Sequence, residues 1–292
     1  VLDAIVIGAG PNGLAAAIRL AEQGYGVHVY EAHQQPGGGA RSAELTLPGF
    51  VHDPGSAIHP LTLASPWLRA LPLERYGLEW VQPPAALAHP FEDGSAALLY
   101  RSIDATAATL GPDGERWRRL FGPLVAGAGP LLDEILAPIH LPRHPLLLAR
   151  FGRDGLRSAS SLAERAFVGQ RARALFAGMA AHSILPLEEA ATAAFGLVLG
   201  LLGHAAGWPF PRGGAQRITD ALVAYLTALG GEIVTGAPVE RLDDLPAAGT
   251  YLFDTSARAL DRIAGGRLPQ GYRRQLRRFR AGPGVFKVDY AL

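Results

Sequence analysis

Val6-Ile7-Gly8-Ala9-Gly10-Pro11-Asn12-Gly13-Leu14-Ala15-Ala16-Ala17-Ile18 sets three glycines, spaced G-x-G-x-x-G, between an apolar run and a stretch of helix formers. Upstream, Asp3 to Ile7 is short, apolar and rich in β-branched residues, the pattern of a strand buried on both faces of a parallel sheet. Downstream, Leu14, Ala17, Ile18 and Ala21 fall on one helical face, and the pattern stops at Gln23-Gly24. A second strand, Val27 to Tyr30, ends in Glu31. The unit is β-α-β. Gly8 permits the tight turn, Gly10 lets backbone approach a pyrophosphate, and Gly13 clears the helix–strand contact. The helix N-terminus offers N–H donors and partial positive charge to phosphate, and Glu31 can accept from ribose hydroxyls. Strand, turn, helix, strand and acid in this register predict dinucleotide binding.

Composition bounds the rest. The 292 residues are 49% hydrophobic and 18% charged, enough for two domains or one large domain carrying an insertion. A net charge of +1 gives no electrostatic footprint for nucleic acid. The absence of cysteine removes disulfides, thiolate metal sites and a Cys nucleophile, and fits a reducing, cytoplasmic setting. Ala190 to Pro211 is uncharged, but its strongly apolar core, Leu197 to Leu202, is shorter than a membrane span. A buried helix packed through its glycines is expected there, so no membrane-spanning segment is assigned. Lys287 is the only lysine among 27 basic residues, which hints at a position that needs a compact ammonium.

The segment after Glu31 narrows the cofactor. Gly37-Gly38-Gly39-Ala40-Arg41 resembles the E-x5-G-G segment of FAD-dependent amine oxidases and phytoene-desaturase-like flavoproteins. Gly39 stands where that family often has Arg, and Arg41 follows two residues later. Phe50-Val51-His52-Asp53-Pro54-Gly55 is similar to the family's F-x-x-D-x-G approach to the flavin ring, and Pro211-Arg212-Gly213-Gly214 to its P-x-G-G-then-helix element. Gly230 to Arg241 resembles its returning strand pair, and Tyr251 to Ser256 a strand and turn of the same domain. The nearest branch is the bacterial phytoene-dehydrogenase-related group. The resemblance implies an α/β fold: a discontinuous Rossmann-like FAD/NAD(P)-binding domain (residues 1–60 and 205–292) with an inserted α+β substrate domain (61–204). It implies FAD as cofactor, held by Gly8, Gly10, Pro11, Asn12, Gly13, Glu31, Ala32, Gly37, Gly38, Gly39, Ala40, Arg41 and Val239. The expected partner is an apolar or amine-like small molecule, and the expected chemistry is hydride removal from a C–H bond.

Two residues carry the expected catalysis. Lys287, in the alternating stretch Gly284 to Tyr290, reads as a strand lysine; amine-oxidase relatives have a lysine there that holds a water beside the reactive flavin nitrogen. His59 follows the flavin lead-in and is either a ring- or substrate-facing group or a hydrogen-bonded structural histidine. His140 and His144 lie in a proline-rich loop without carboxylate neighbours, so no metal site is assigned, and Asp133-Glu134 read as helix-surface charges. Arg273-Arg274 and Arg277-Arg278 read as a solvated face. The family's glycine-rich closing segment is not found, so a fragment with an incomplete flavin-ring end is expected. Two rival functions stay open: a non-catalytic dinucleotide-binding or interaction module, and an NAD-binding oxidoreductase, for which Glu31 favours an unphosphorylated ribose.

Overall fold

The computed structural model describes residues 2–292. Two compact units emerge, one from residues up to 57, 72–81 and 210–292, the other from 58–71 and 82–209. Residues 72–81 thus join the first unit, although they lie inside the segment that the sequence assigns to the insertion.

In the first unit, four strands form a parallel sheet among the described residues: β1 (Leu2–Ile7), β2 (Val27–Tyr30), β3 (Glu232–Val234) and β4 (Ala248–Phe253), in the order β4-β1-β2-β3. β1 is central, with Ala4 opposite Val27 on one side and Thr250 on the other. Its Ala4 to Ile7 are buried, as a strand covered on both faces requires. Helix α1 (Pro11–Ala21) follows, with Pro11 at its first position and Gly13, Leu14, Ala17, Ile18 and Ala21 inward. It packs against the helix Gln216–Ala228, whose inner face is Ile218, Ala221, Leu222 and Leu226. Ile5 and Ile7 pack with Ile263 of the helix Ala257–Ala264.

Two expected elements differ. The segment from Gly230 forms one strand, β3, and residues 235–241 run as irregular chain. Residues 279–292 carry no regular structure, so Lys287 is not on a strand: Val285, Phe286 and Val288 stay exposed, without the partner chain that would bury one face of an alternating segment.

The second unit is mainly helical, with a hairpin of Leu87–Pro90 and Ala96–Leu99. Its core gathers Trp117, Phe121, Phe167 and Phe176 around the helix Thr192–Ala205. Glycines notch that helix to admit large side chains: a Cβ at Gly200 would stand 2.3 Å from the Phe121 ring and one at Gly196 2.8 Å from Phe176. No helix among the described residues is long and apolar enough to cross a membrane.

Candidate cofactor site

The glycine turn stands at the C-terminal end of the central strand, where open parallel sheets place their ligands. Gly8 has φ +103°, a conformation that excludes ordinary side chains. A Cβ at Gly13 would stand 2.1 Å from the Gly8 carbonyl, which holds strand and helix together at this point. α1 has no side-chain cap of its own at Gly10, so its first-turn donors need partners from elsewhere.

One partner comes from the far end of the unit. Asp254, directly after β4, accepts from the Gly13 N–H through Oδ2 at 2.8 Å. A Cβ at Gly8 would strike the Asp254 carbonyl at 2.3 Å, and one at Gly10 would reach Oδ2 at 2.7 Å. The three glycines are therefore bare partly to admit Asp254. The turn that the sequence reads as cleared for a pyrophosphate thus also has a carboxylate against it. In the sequence Asp254 reads only as part of a strand and turn. No local signal marks an acid 241 positions from the N–H that it binds.

Glu31 is buried and lines a cavity of about 760 Å³. Its Oε2 accepts from the Ala9 N–H at 2.8 Å and its Oε1 from the His33 N–H at 2.9 Å. A carboxylate has about four acceptor positions, so two remain for ligand hydroxyls. The same cavity takes Gly8, Ala32, Val239, Asp254 and Thr255 into its wall, with Ile7 and Ile263 as apolar floor. Thr255 also lines the cavity, and its Oγ1 is buried with no hydrogen-bond partner. Pro11 and Asn12 open α1, beside this wall rather than in it.

The second glycine cluster packs on the first. Gly37 N–H donates to the Ala9 carbonyl at 2.9 Å, and a Cβ at Gly38 would stand 3.2 Å from Gly10 Cα. A Cβ at Gly39 meets nothing within 4 Å, and Ala40 is buried. Arg41 folds back, its Nε donating to the Gly38 carbonyl at 3.0 Å. Asp53 serves as a clamp: Oδ1 accepts from Ser42 Oγ at 2.5 Å and from the Ala215 N–H at 2.8 Å, tying the F-x-x-D-x-G segment to the start of the helix Gln216–Ala228.

The two catalytic candidates are placed separately. Lys287 pairs with Asp289, whose Oδ1 lies 3.6 Å from His52 Nδ1, so the lysine reaches the Val51–His52 segment of the first unit. His59 belongs to the second unit, where its N–H donates to the Pro209 carbonyl at 3.0 Å. One surface reading is corrected. Glu134 is buried, and its carboxylate binds both His140 and His144 at 3.1 Å. The arginine cluster keeps its solvated face, with Arg274, Arg277 and Arg278 exposed, while Arg273 and Arg277 each donate to Asp261 at 2.7 Å.

The parallel sheet, the bare turn into α1 and buried Glu31 at the cavity define a Rossmann-like unit. The model of the family "Flavin containing amine oxidoreductase" matches residues 12–261, and the chain belongs to that family. It is 33% identical over 180 residues to hydroxysqualene dehydroxylase of Rhodopseudomonas palustris, covering 54% of this chain and 41% of that protein. It is 28% identical to the zeta-carotene-forming phytoene desaturase of Myxococcus xanthus, over 82% of this chain and 47% of that one. The chain thus spans just under half the length of these curated relatives. An oxidoreductase from Methanosarcina mazei has the same fold, with a TM-score of 0.62 at 19% identity over 94% of this chain and 65% of that one.

Proposed function

We propose that the chain binds FAD and serves an FAD-dependent oxidoreductase that removes a hydride from a C–H bond of an apolar or amine-like small molecule. The observation that carries this is buried Glu31, with two acceptor positions free, in the wall of one cavity beside Gly8 of the glycine turn. Those residues fit the adenosine and diphosphate of a dinucleotide. Glu31 would hold the ribose hydroxyls through its spare acceptor positions, and the first-turn N–H groups of α1 would meet the diphosphate. Val239, half-buried at the wall, would border the adenine. Gly37 to Arg41 would run beside the diphosphate and ribityl chain. When bound, the flavin supplies the hydride acceptor, and the protein contributes orientation and water exclusion. Lys287 is the ammonium that would hold a water near the ring and offset negative charge on its reduced form. Hydroxysqualene and zeta-carotene, in the names of two relatives, support the apolar side of the substrate class.

The test is direct. The chain is titrated with FAD while flavin fluorescence is followed, with NAD as the competitor. Saturable quenching that NAD does not displace is expected, and preference for NAD would reverse the cofactor assignment. Anaerobic bleaching of bound flavin by apolar and amine substrates then separates an oxidoreductase from a binding module.

A further inference from the structure

The most exposed apolar side chains of the second unit lie together. Ile139 is 107% exposed, Leu141 91% and Leu146 86%, values for side chains standing clear of the protein. All three lie in the stretch from Leu136 to Arg150, where Pro138, Pro142 and Pro145 restrict the backbone and the helix Pro145–Gly155 begins. The tip is anchored from beneath. Buried Glu134 accepts from the His144 N–H at 2.8 Å and binds the rings of His140 and His144 on its two oxygens. Leu147 and Phe151, on the other face of the same helix, pack against the core. A loop fixed at both ends, with its large apolar residues outward, is a built feature. Isolated exposed leucines need no account, but a cluster of this kind marks a contact surface.

Charge indicates what the surface meets. From Leu136 to Arg150 there is no acid, while Arg143 and Arg150 are exposed among the apolar residues. A rigid protein partner would need a matched complementary face to cover these side chains. A fluid acyl boundary needs none, and an acid-free basic rim suits anionic headgroups. We propose that residues 136–150 dock the chain reversibly on the surface of an anionic lipid bilayer, with Ile139, Leu141 and Leu146 entering the headgroup–acyl boundary. The observations come from the second unit alone, so this proposal stands or fails independently of FAD binding.

The experiment uses the full chain and vesicles of phosphatidylcholine, with or without about 30% phosphatidylglycerol. Co-sedimentation with the anionic vesicles is expected, at least about fivefold stronger than with the neutral ones and weakened by salt. The double substitution Ile139→Asp with Leu141→Asp should reduce it at least about tenfold. Both residues are fully exposed, so an unchanged circular dichroism spectrum is expected for the variant. Because the chain has no cysteine, Leu141→Cys provides a single attachment point for an environment-sensitive fluorophore. Its emission should shift to the blue when anionic vesicles are added. No binding to either vesicle, full binding by the double Asp variant, or an unshifted label while the chain sediments would each overturn the proposal. So would a lipid-free dimer that Leu141→Asp dissociates, since the apolar tip would then face a second copy.

Discussion

Asp254 Oδ2 accepts from the Gly13 N–H at 2.8 Å, so a carboxylate from the end of β4 closes the first turn of α1. A side chain 241 positions away does what an N-cap residue usually does locally. Its negative charge stands at the helix end that a dinucleotide diphosphate would also use. Two anions near one helix N-terminus repel, and that sets the first prediction.

Asp254→Ala should lower the stability of the ligand-free chain by about 1 kcal/mol, as loss of a cap does. Asp254→Asn keeps an oxygen for the Gly13 N–H and removes the charge. It should bind ADP and FAD roughly fivefold more tightly, the effect of one like charge removed from a few ångströms away. Calorimetric titration of both variants checks this, and weaker binding by the Asn variant would show that the charge helps rather than opposes.

Glu31→Ala should leave the Ala9 and His33 N–H groups without their acceptor, at a cost of roughly 1–3 kcal/mol in stability. FAD affinity should fall at least about tenfold with it, through loss of the ribose contact. Urea unfolding and flavin fluorescence measure the two effects separately.

The two glycine clusters should respond differently to one methyl group. At Gly13 a Cβ would meet the Gly8 carbonyl at 2.1 Å, and backbone cannot step aside cheaply. Gly13→Ala should cost about 1–3 kcal/mol and abolish FAD binding. At Gly39 nothing lies within 4 Å, so Gly39→Ala should leave stability within about 0.5 kcal/mol of the parent. Thermal melts of the pair decide it.

His204 sets a pH dependence. Trp117 Nε1 donates to its Nε2 at 3.0 Å, which requires the neutral ring with its proton on Nδ1, near the Arg101 carbonyl. Burial pushes this imidazole below its ordinary 6.5 and outweighs the backbone contacts that act the other way. The unfolded chain therefore takes up the proton first. The His204 contribution is full above 6.5 and is lost as pH falls from there through the lowered folded value. The slope is at most about 1.4 kcal/mol per pH unit for this one proton. His204→Gln keeps an acceptor for Trp117 and should flatten that part of the profile in urea titrations at stepped pH.

The β-α-β start was legible because its signals are local: β-branched residues, glycine spacing, one apolar helix face and an acid at the strand end all fall within Asp3 to Glu31. The same holds for the buried helix Thr192–Ala205, whose glycines announced close packing. What escaped was set by contacts distant in sequence. Asp254 reads as an ordinary turn residue until β4 is placed beside β1. Glu134 looks like a surface acid until the chain returns ten residues later with His144. Lys287 misled in the opposite sense: alternation predicts a strand, but a strand forms only where a neighbouring chain offers hydrogen bonds, and residues 279–292 have none.

The position of β1 between β2 and β4 also bears on how the chain is made. β1 finds one neighbour within thirty residues, but its other edge and the closure of α1 await residues 248–254. At about 5–20 residues per second, a ribosome takes roughly ten seconds to a minute to supply them. During that interval β1 carries an unpaired apolar edge, so chaperone demand should persist until β4 emerges.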